Sequence, residues 1–277
     1  MISPNEIIEQ GDPSKADLTR LISILYMANK YQFPEHEEWA KSQLQQYFAS
    51  HGEEHKHTNT ISSANYKRLY TLASSIWPQF KSCIRIKWIS DLDGRTLCSK
   101  EVLDFAESMD DRLLQADVYY NELLRLKGGS QDKWIFPAPS FHENSFTPTQ
   151  SMHLYRGFWS LLQFWTGIRT PEIKKGAPED HRNYCTKHWT WMWEQCAATT
   201  SGGDPFVGSA SSQEQALIFD PLGALDRLVK LPPSPNASGD AKHCGCRFQG
   251  LAKSVRERLH EKLADHFLGP VIGNTNQ

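Results

Sequence analysis

The sequence predicts an all-α protein, and three observations predict it. Apolar residues recur at steps of three and four through segment after segment, the period of one helix face. Nowhere does a run of β-branched residues alternate with polar ones, as a half-buried strand would require. Prolines and glycines stand at the segment ends, where helices start and stop, as Pro34, Pro78 and Gly128-Gly129 do.

The first segment, residues 18–49, reads as a helical hairpin. Leu18, Leu21, Leu25 and Ala28 form a stripe with Ile22 and Tyr26 beside it. Pro34 disfavours helix at Phe33 and can itself open the next helix. In that helix Ala40, Leu44, Tyr47 and Phe48 share a face, while Glu35, Glu37, Lys41 and Gln45 look outward. Helices this short are marginal in water, so each must pack on something. From Ser62 or Ser63 as N-cap, a third helix carries Tyr66, Leu69, Tyr70, Ala73, Ile76 and Trp77. Pro78 stops it and starts a fourth, with Phe80, Cys83, Ile84 and Trp88 on one side. Residues 100–126 then read as one run: Val102, Leu103, Ala106 and Met109, continued by Leu113, Ala116, Tyr120 and Leu124.

Residues 130–150 contain prolines and scattered aromatics without a helical period, and read as a linker. Past it, Tyr155, Phe158, Trp159, Leu162 and Trp165 are expected on one face, as core rather than as a ligand pocket. Asp220-Pro221 opens a short helix with Leu222, Leu225 and Val229. The last helix carries Phe248, Leu251, Val255, Leu259, Leu263 and Phe267. The expected domains are therefore 1–129, the 130–150 linker, a helical region 151–268 with two flexible loops (199–213 and 231–240), and a disordered tail 269–277.

Within the opening hairpin, LISILYMANKYQFPEHEEWAKSQL resembles the helical end of a BTB/POZ domain in the basidiomycete type of fungal protein. That pattern is a leucine-rich helix with LxLAxKYxF, a corner, then xxWAxxxL. Leu25, Ala28, Lys30, Tyr31, Phe33, Trp39, Ala40 and Leu44 carry the match, and Leu21 extends its stripe. The helices that follow, and RGFWSLLQFWTGIRTPE further on, resemble the family's helical extension and C-terminal half. The resemblance implies a BTB-like helical hairpin followed by a multi-helix region. It also implies a non-catalytic protein–protein interaction module, an adaptor or scaffold in ubiquitin ligation or transcription. The strands and first helices of a full BTB fold have no counterpart before Leu18, so the N-terminal part of that fold is expected to be lacking. In the family those elements make much of the homodimer interface and contribute to the cullin-3 surface, which places both partners in doubt here.

Bulk properties limit the function classes. A net charge of −2 over 277 residues, with a pI near 6.6, gives no basic surface for nucleic acid. Mean hydropathy is −0.55, and no window approaches the roughly 18 apolar residues of a membrane span. MISPNEIIEQGDPSK has neither a basic n-region nor an apolar h-region. A cytoplasmic or nuclear protein with protein partners is expected, its six cysteines free or metal-bound rather than disulfide-bonded.

Three constellations invite chemistry. Asp91-Leu92-Asp93-Gly94 resembles the nucleophile loop of haloacid-dehalogenase-type phosphohydrolases, which places an aspartate nucleophile and an aspartate acid at the end of a strand. Here Arg95 interrupts the Gly–Thr pair, the preceding 80–89 has a helical period, and no βαβ alternation surrounds it. An Asp–Gly turn between helices is the expected role, with phosphohydrolase as the alternative. Cys185, His188, Cys244 and Cys246 form two close pairs of zinc-type ligands, and a structural zinc is weighed against buried and loop thiols. His51, His55 and His57 crowd a charged turn that is expected to be solvated. No Ser–His–Asp arrangement and no phosphate-cradling glycine loop stand out, so no catalytic residue and no cofactor beyond that zinc is expected.

Overall fold

The computed structural model describes residues 18–50, 61–93, 97–127, 146–168, 191–193, 220–230 and 241–271. Among these residues every regular element is an α-helix and no strand occurs. None of the described helices is long and apolar enough to cross a membrane. The chain falls into two compact units, Met1–Leu114 and Gln115–Gln277.

The first unit begins with α1 (Leu18–Lys30) and α2 (Pro34–Ser50). The turn between them is a Schellman motif: Phe33 N–H donates to the Ala28 carbonyl (2.8 Å) and Gln32 N–H to that of Asn29 (3.3 Å). The motif needs a left-handed residue, and Gln32 supplies it at φ 58° where glycine is usual. Pro34 then takes the first helical position, where its missing N–H costs nothing. α3 (Ser63–Ile76) is capped by Ser62, whose hydroxyl accepts from Asn65 N–H at 3.3 Å, as expected. Pro78 opens α4 (Pro78–Asp93). α1 packs on α2 and α3, and α4 on α2 and α3, so the two hairpins bury one another's stripes. Leu21, Leu25, Ala28 and Leu44 are buried there with Tyr66, Leu69, Tyr70, Ile84 and Trp88.

Residues 100–126 are not one run. α5 (Ser99–Ser108) ends in a second Schellman motif, Asp111 N–H to Ala106 (2.9 Å) and Asp110 N–H to Glu107 (3.1 Å), with Asp110 left-handed at φ 50°. Asp111 then caps α6 (Arg112–Lys127): its Oδ1 accepts from Leu114 N–H at 3.0 Å. Tyr70 Oη (2.9 Å) and Lys81 Nζ (2.5 Å) hold the same buried carboxylate. Ala116 and Tyr120 are buried as expected, but Leu113 is exposed and Leu124 half-buried, and Leu114, Val118, Tyr119 and Leu123 complete the buried face. Cys83 on α4 is likewise exposed rather than core.

In the second unit the linker gives way to helix before its expected end, because α7 spans Pro148–Ile168. Thr147 and Gln150 form a reciprocal capping box: Thr147 Oγ1 accepts from Gln150 N–H (3.2 Å), and Gln150 Oε1 from Thr147 N–H (3.0 Å). The buried face of α7 is Gln150, Leu154, Gly157, Leu161 and Trp165. Trp159 is exposed, and Tyr155, Phe158 and Leu162 are half-buried. Of the expected aromatic face Trp165 is buried, and the rest is rotated off the core. α8 (Pro221–Lys230) is capped by Asp220, whose Oδ1 accepts from Gly223 N–H at 2.9 Å. Tyr120 Oη donates to the same Oδ1 (3.0 Å) and accepts from Leu222 N–H (3.0 Å), which fixes α6 to the start of α8. α9 (Ala241–Glu261) packs on α8. The expected last helix breaks at Lys262, and α10 (Leu263–Leu268) packs on α7. Val255, Leu259, Leu263 and Phe267 are buried as expected, whereas Leu251 is exposed and Ala252 buried in its stead.

Candidate interaction surface

The expected hairpin residues divide into two groups. Leu21, Leu25, Ala28 and Leu44 are core, and Trp39 is half-buried. Tyr31 and Phe33 are not core: they are 53% and 55% exposed, as are Tyr26 (45%) and Met27 (47%) nearby. Four large apolar side chains thus face solvent within one corner of the fold.

The corner geometry explains their exposure. Tyr26 and Met27 follow Leu25 by one and two residues, about 100° and 200° around the helix from a stripe residue. Tyr31 N–H still bonds to the Met27 carbonyl at 2.9 Å, so Tyr31 lies one turn above Met27 on the same outer side. Gln32 then reverses the chain, and Phe33 stands at the position whose side chain in a Schellman motif commonly packs back on the helix. Here it turns outward. Its ring lies 6.5 Å from that of Tyr31 and 5.9 Å from that of His36, and Lys30 Nζ sits 5.4 Å over Tyr31. The opening of α2 is acidic. Glu37 is bound to Lys41 Nζ (2.7 Å), which with Asn29 holds its carboxyl below the ordinary range against the opposing effect of burial. An aromatic patch with a charged rim is the composition of a protein-binding hot spot. The helical period alone could have placed Tyr26 and Met27 outside. The outward Phe33 depends on the left-handed Gln32, which no glycine announces.

Asp91 lies in the last turn of α4, not at the end of a strand. Its carboxylate accepts from Tyr66 Oη (2.6 Å) and pairs with Lys87 Nζ (2.5 Å). Burial, together with that carboxylate, pushes the Tyr66 hydroxyl far above its ordinary pKa. Tyr66 stacks on Trp88 (5.0 Å, 5°), and Trp88 meets Tyr70 and Phe105 at 5.9 and 5.5 Å. Asp91 is thereby tied into the aromatic centre of the unit. Asp93 closes α4 with its side chain outside the described residues, as are Gly94, Arg95 and Thr96.

Of the zinc candidates, Cys185 and His188 lie outside the described residues. Cys244 and Cys246 fall in the first turns of α9, with their side chains outside that description. His51, His55 and His57, and the loops at 199–213 and 231–240, lie outside it as well. Among the described residues no three His, Cys, Asp or Glu are grouped to hold a metal ion. Comparison with family models, with curated proteins and with solved structures found no match to this chain.

Proposed function

We propose that this chain is a non-catalytic protein–protein interaction module of BTB/POZ type, an adaptor or scaffold in ubiquitin ligation or transcription. The observation that carries the reading is the α1–α2 corner, where Tyr26, Met27, Tyr31 and Phe33 are presented to solvent by a buried Leu25–Leu44 support. The residues with the BTB-like pattern coincide with that corner: Lys30, Tyr31 and Phe33 belong to both. Large exposed apolar clusters on a folded surface mark binding sites, and Tyr and Met are favoured there because they bury much area. The bonding of Asp91 to Tyr66 and Lys87 supports a structural rather than a nucleophilic role for that residue. The net charge of −2 supports protein partners over nucleic acid.

Affinity capture with the intact chain tests the reading, run beside a Tyr31→Ala/Phe33→Ala variant. At least one protein should be retained by the wild type and lost from the variant, with unchanged helical circular dichroism in both. Recovery of a cullin-3-type ligase subunit would place the partner in ubiquitin ligation, and recovery of chromatin factors would place it in transcription. Identical retention by both chains would remove the corner from the account.

A further inference from the structure

The seat of α10 on α7 is small and unusually rich in histidine. The Phe267 ring lies directly on the bare backbone of Gly157, where any Cβ would overlap it, and stacks on Tyr119 at 5.5 Å. Two imidazoles bridge the same seam. His153 Nδ1 lies 3.2 Å from the Phe267 carbonyl, and His266 Nδ1 lies 2.8 Å from Ser160 Oγ.

The Phe267 carbonyl only accepts, so His153 Nδ1 carries the hydrogen of that bond. His266 is half-buried, its ring and that of Phe164 nearly perpendicular with centroids 5.7 Å apart. The Ser160 hydroxyl can donate to a neutral Nδ1 or accept from a protonated one, so a proton on His266 leaves a bond possible but makes the half-buried seam hold a charge. On its own side Asp265 favours the charge and Lys262, one turn back, opposes it. From α7 it faces Ser160 and Phe164, neither of them charged, while the Arg156 guanidinium lies against Gly269 at the end of α10.

We propose that α10 is an acid-releasable latch, in which protonation of His266 loosens its docking on α7. Burial outweighs Asp265 and holds the imidazole below its ordinary value of 6.5. The group binds its proton less readily when docked, so docking is fully stable above pH 6.5 and weakens as pH falls from 6.5 toward the docked-state value. One linked proton changes the docking equilibrium by at most about tenfold per pH unit within that window. The released element would be a short C-terminal helix whose opening stays local.

Amide hydrogen exchange on the intact chain tests this, with rates corrected for their intrinsic pH dependence. From about pH 7.5 to about pH 5, protection of residues 263–269 should fall relative to that of α3, and the fall should be absent in His266→Gln. A fall that persists in His266→Gln, or no fall in the wild type, would overturn the proposal. Should His266→Gln leave α10 undocked at neutral pH, titration of the wild-type His266 ring by NMR decides. A midpoint below 6.5 sustains the latch, and one at or above 6.5 overturns it.

Discussion

Leu25 has no exposed surface left, on a helix that packs against α2 and α3. Leu25→Ala should therefore cost about 2–5 kcal/mol, read as a lowered thermal midpoint. An unchanged midpoint would mean that the α1–α2 hairpin is not packed. Glycine positions give a sharper contrast. Gly→Ala inside a helix ordinarily stabilises by roughly 0.5–1 kcal/mol, and Gly250 meets nothing within 4 Å that would prevent it. Gly157 is different, since a methyl there strikes the Phe267 ring. Gly250→Ala should raise the melting temperature and Gly157→Ala lower it, although both are glycines within helices. The left-handed Gln32 adds a third case. Gln32→Gly relieves a conformation that costs an L-residue roughly 1 kcal/mol, so it should stabilise unless the glutamine side chain compensates.

At the scale of elements, the helices were legible and their ends were not. The three-and-four spacing marks a helix because one face must be buried, and this placed α1 to α4 and α8 correctly. It fails where a helix ends without glycine or proline. Asp110 takes the left-handed position that ends α5, so 100–126 reads as continuous; Ala116 and Tyr120 are buried as the period expects, but Leu114 rather than Leu113 begins the buried face. On α7 the crowded aromatics outweighed the period. Leu154, Gly157, Leu161 and Trp165 fit it, but a glycine in a core face is invisible until Phe267 fills it. The T-P-T-Q sequence at 147–150 carries the capping-box pattern. Thr147→Ala removes one cap bond and should cost about 0.5–2 kcal/mol. Asp111 gives the pH test at this scale. Burial works to raise its carboxyl, but Lys81, the Leu114 amide and Tyr70 outweigh it and hold the group below 3.8. Its contribution is then fully present above pH 3.8 and is lost as pH falls through the folded value. Wild type should lose stability below about pH 4 more steeply than Asp111→Asn, which is already weakened at neutral pH.

For the molecule as a whole, the all-α character follows from the period of the sequence, and the proposed function rests on what that period leaves outside. A helical stripe accounts for Leu18, Leu21, Leu25 and Ala28. It leaves Tyr26 and Met27 outside but does not account for Tyr31 and Phe33 beside them, and these four exposed residues carry the interaction reading. The candidate site was thus half legible. The pattern picks out Tyr31 and Phe33, but no glycine marks the left-handed turn at Gln32 that faces them to solvent. Site-specific photo-crosslinking tests that central claim most directly. A photoreactive phenylalanine analogue at position 33 should yield a discrete protein adduct, and the same analogue at Ile86, more exposed than Phe33 but outside the corner, should not. Adducts of the same protein in equal yield from both positions, or none from position 33, would contradict the assignment of the α1–α2 corner as the binding surface.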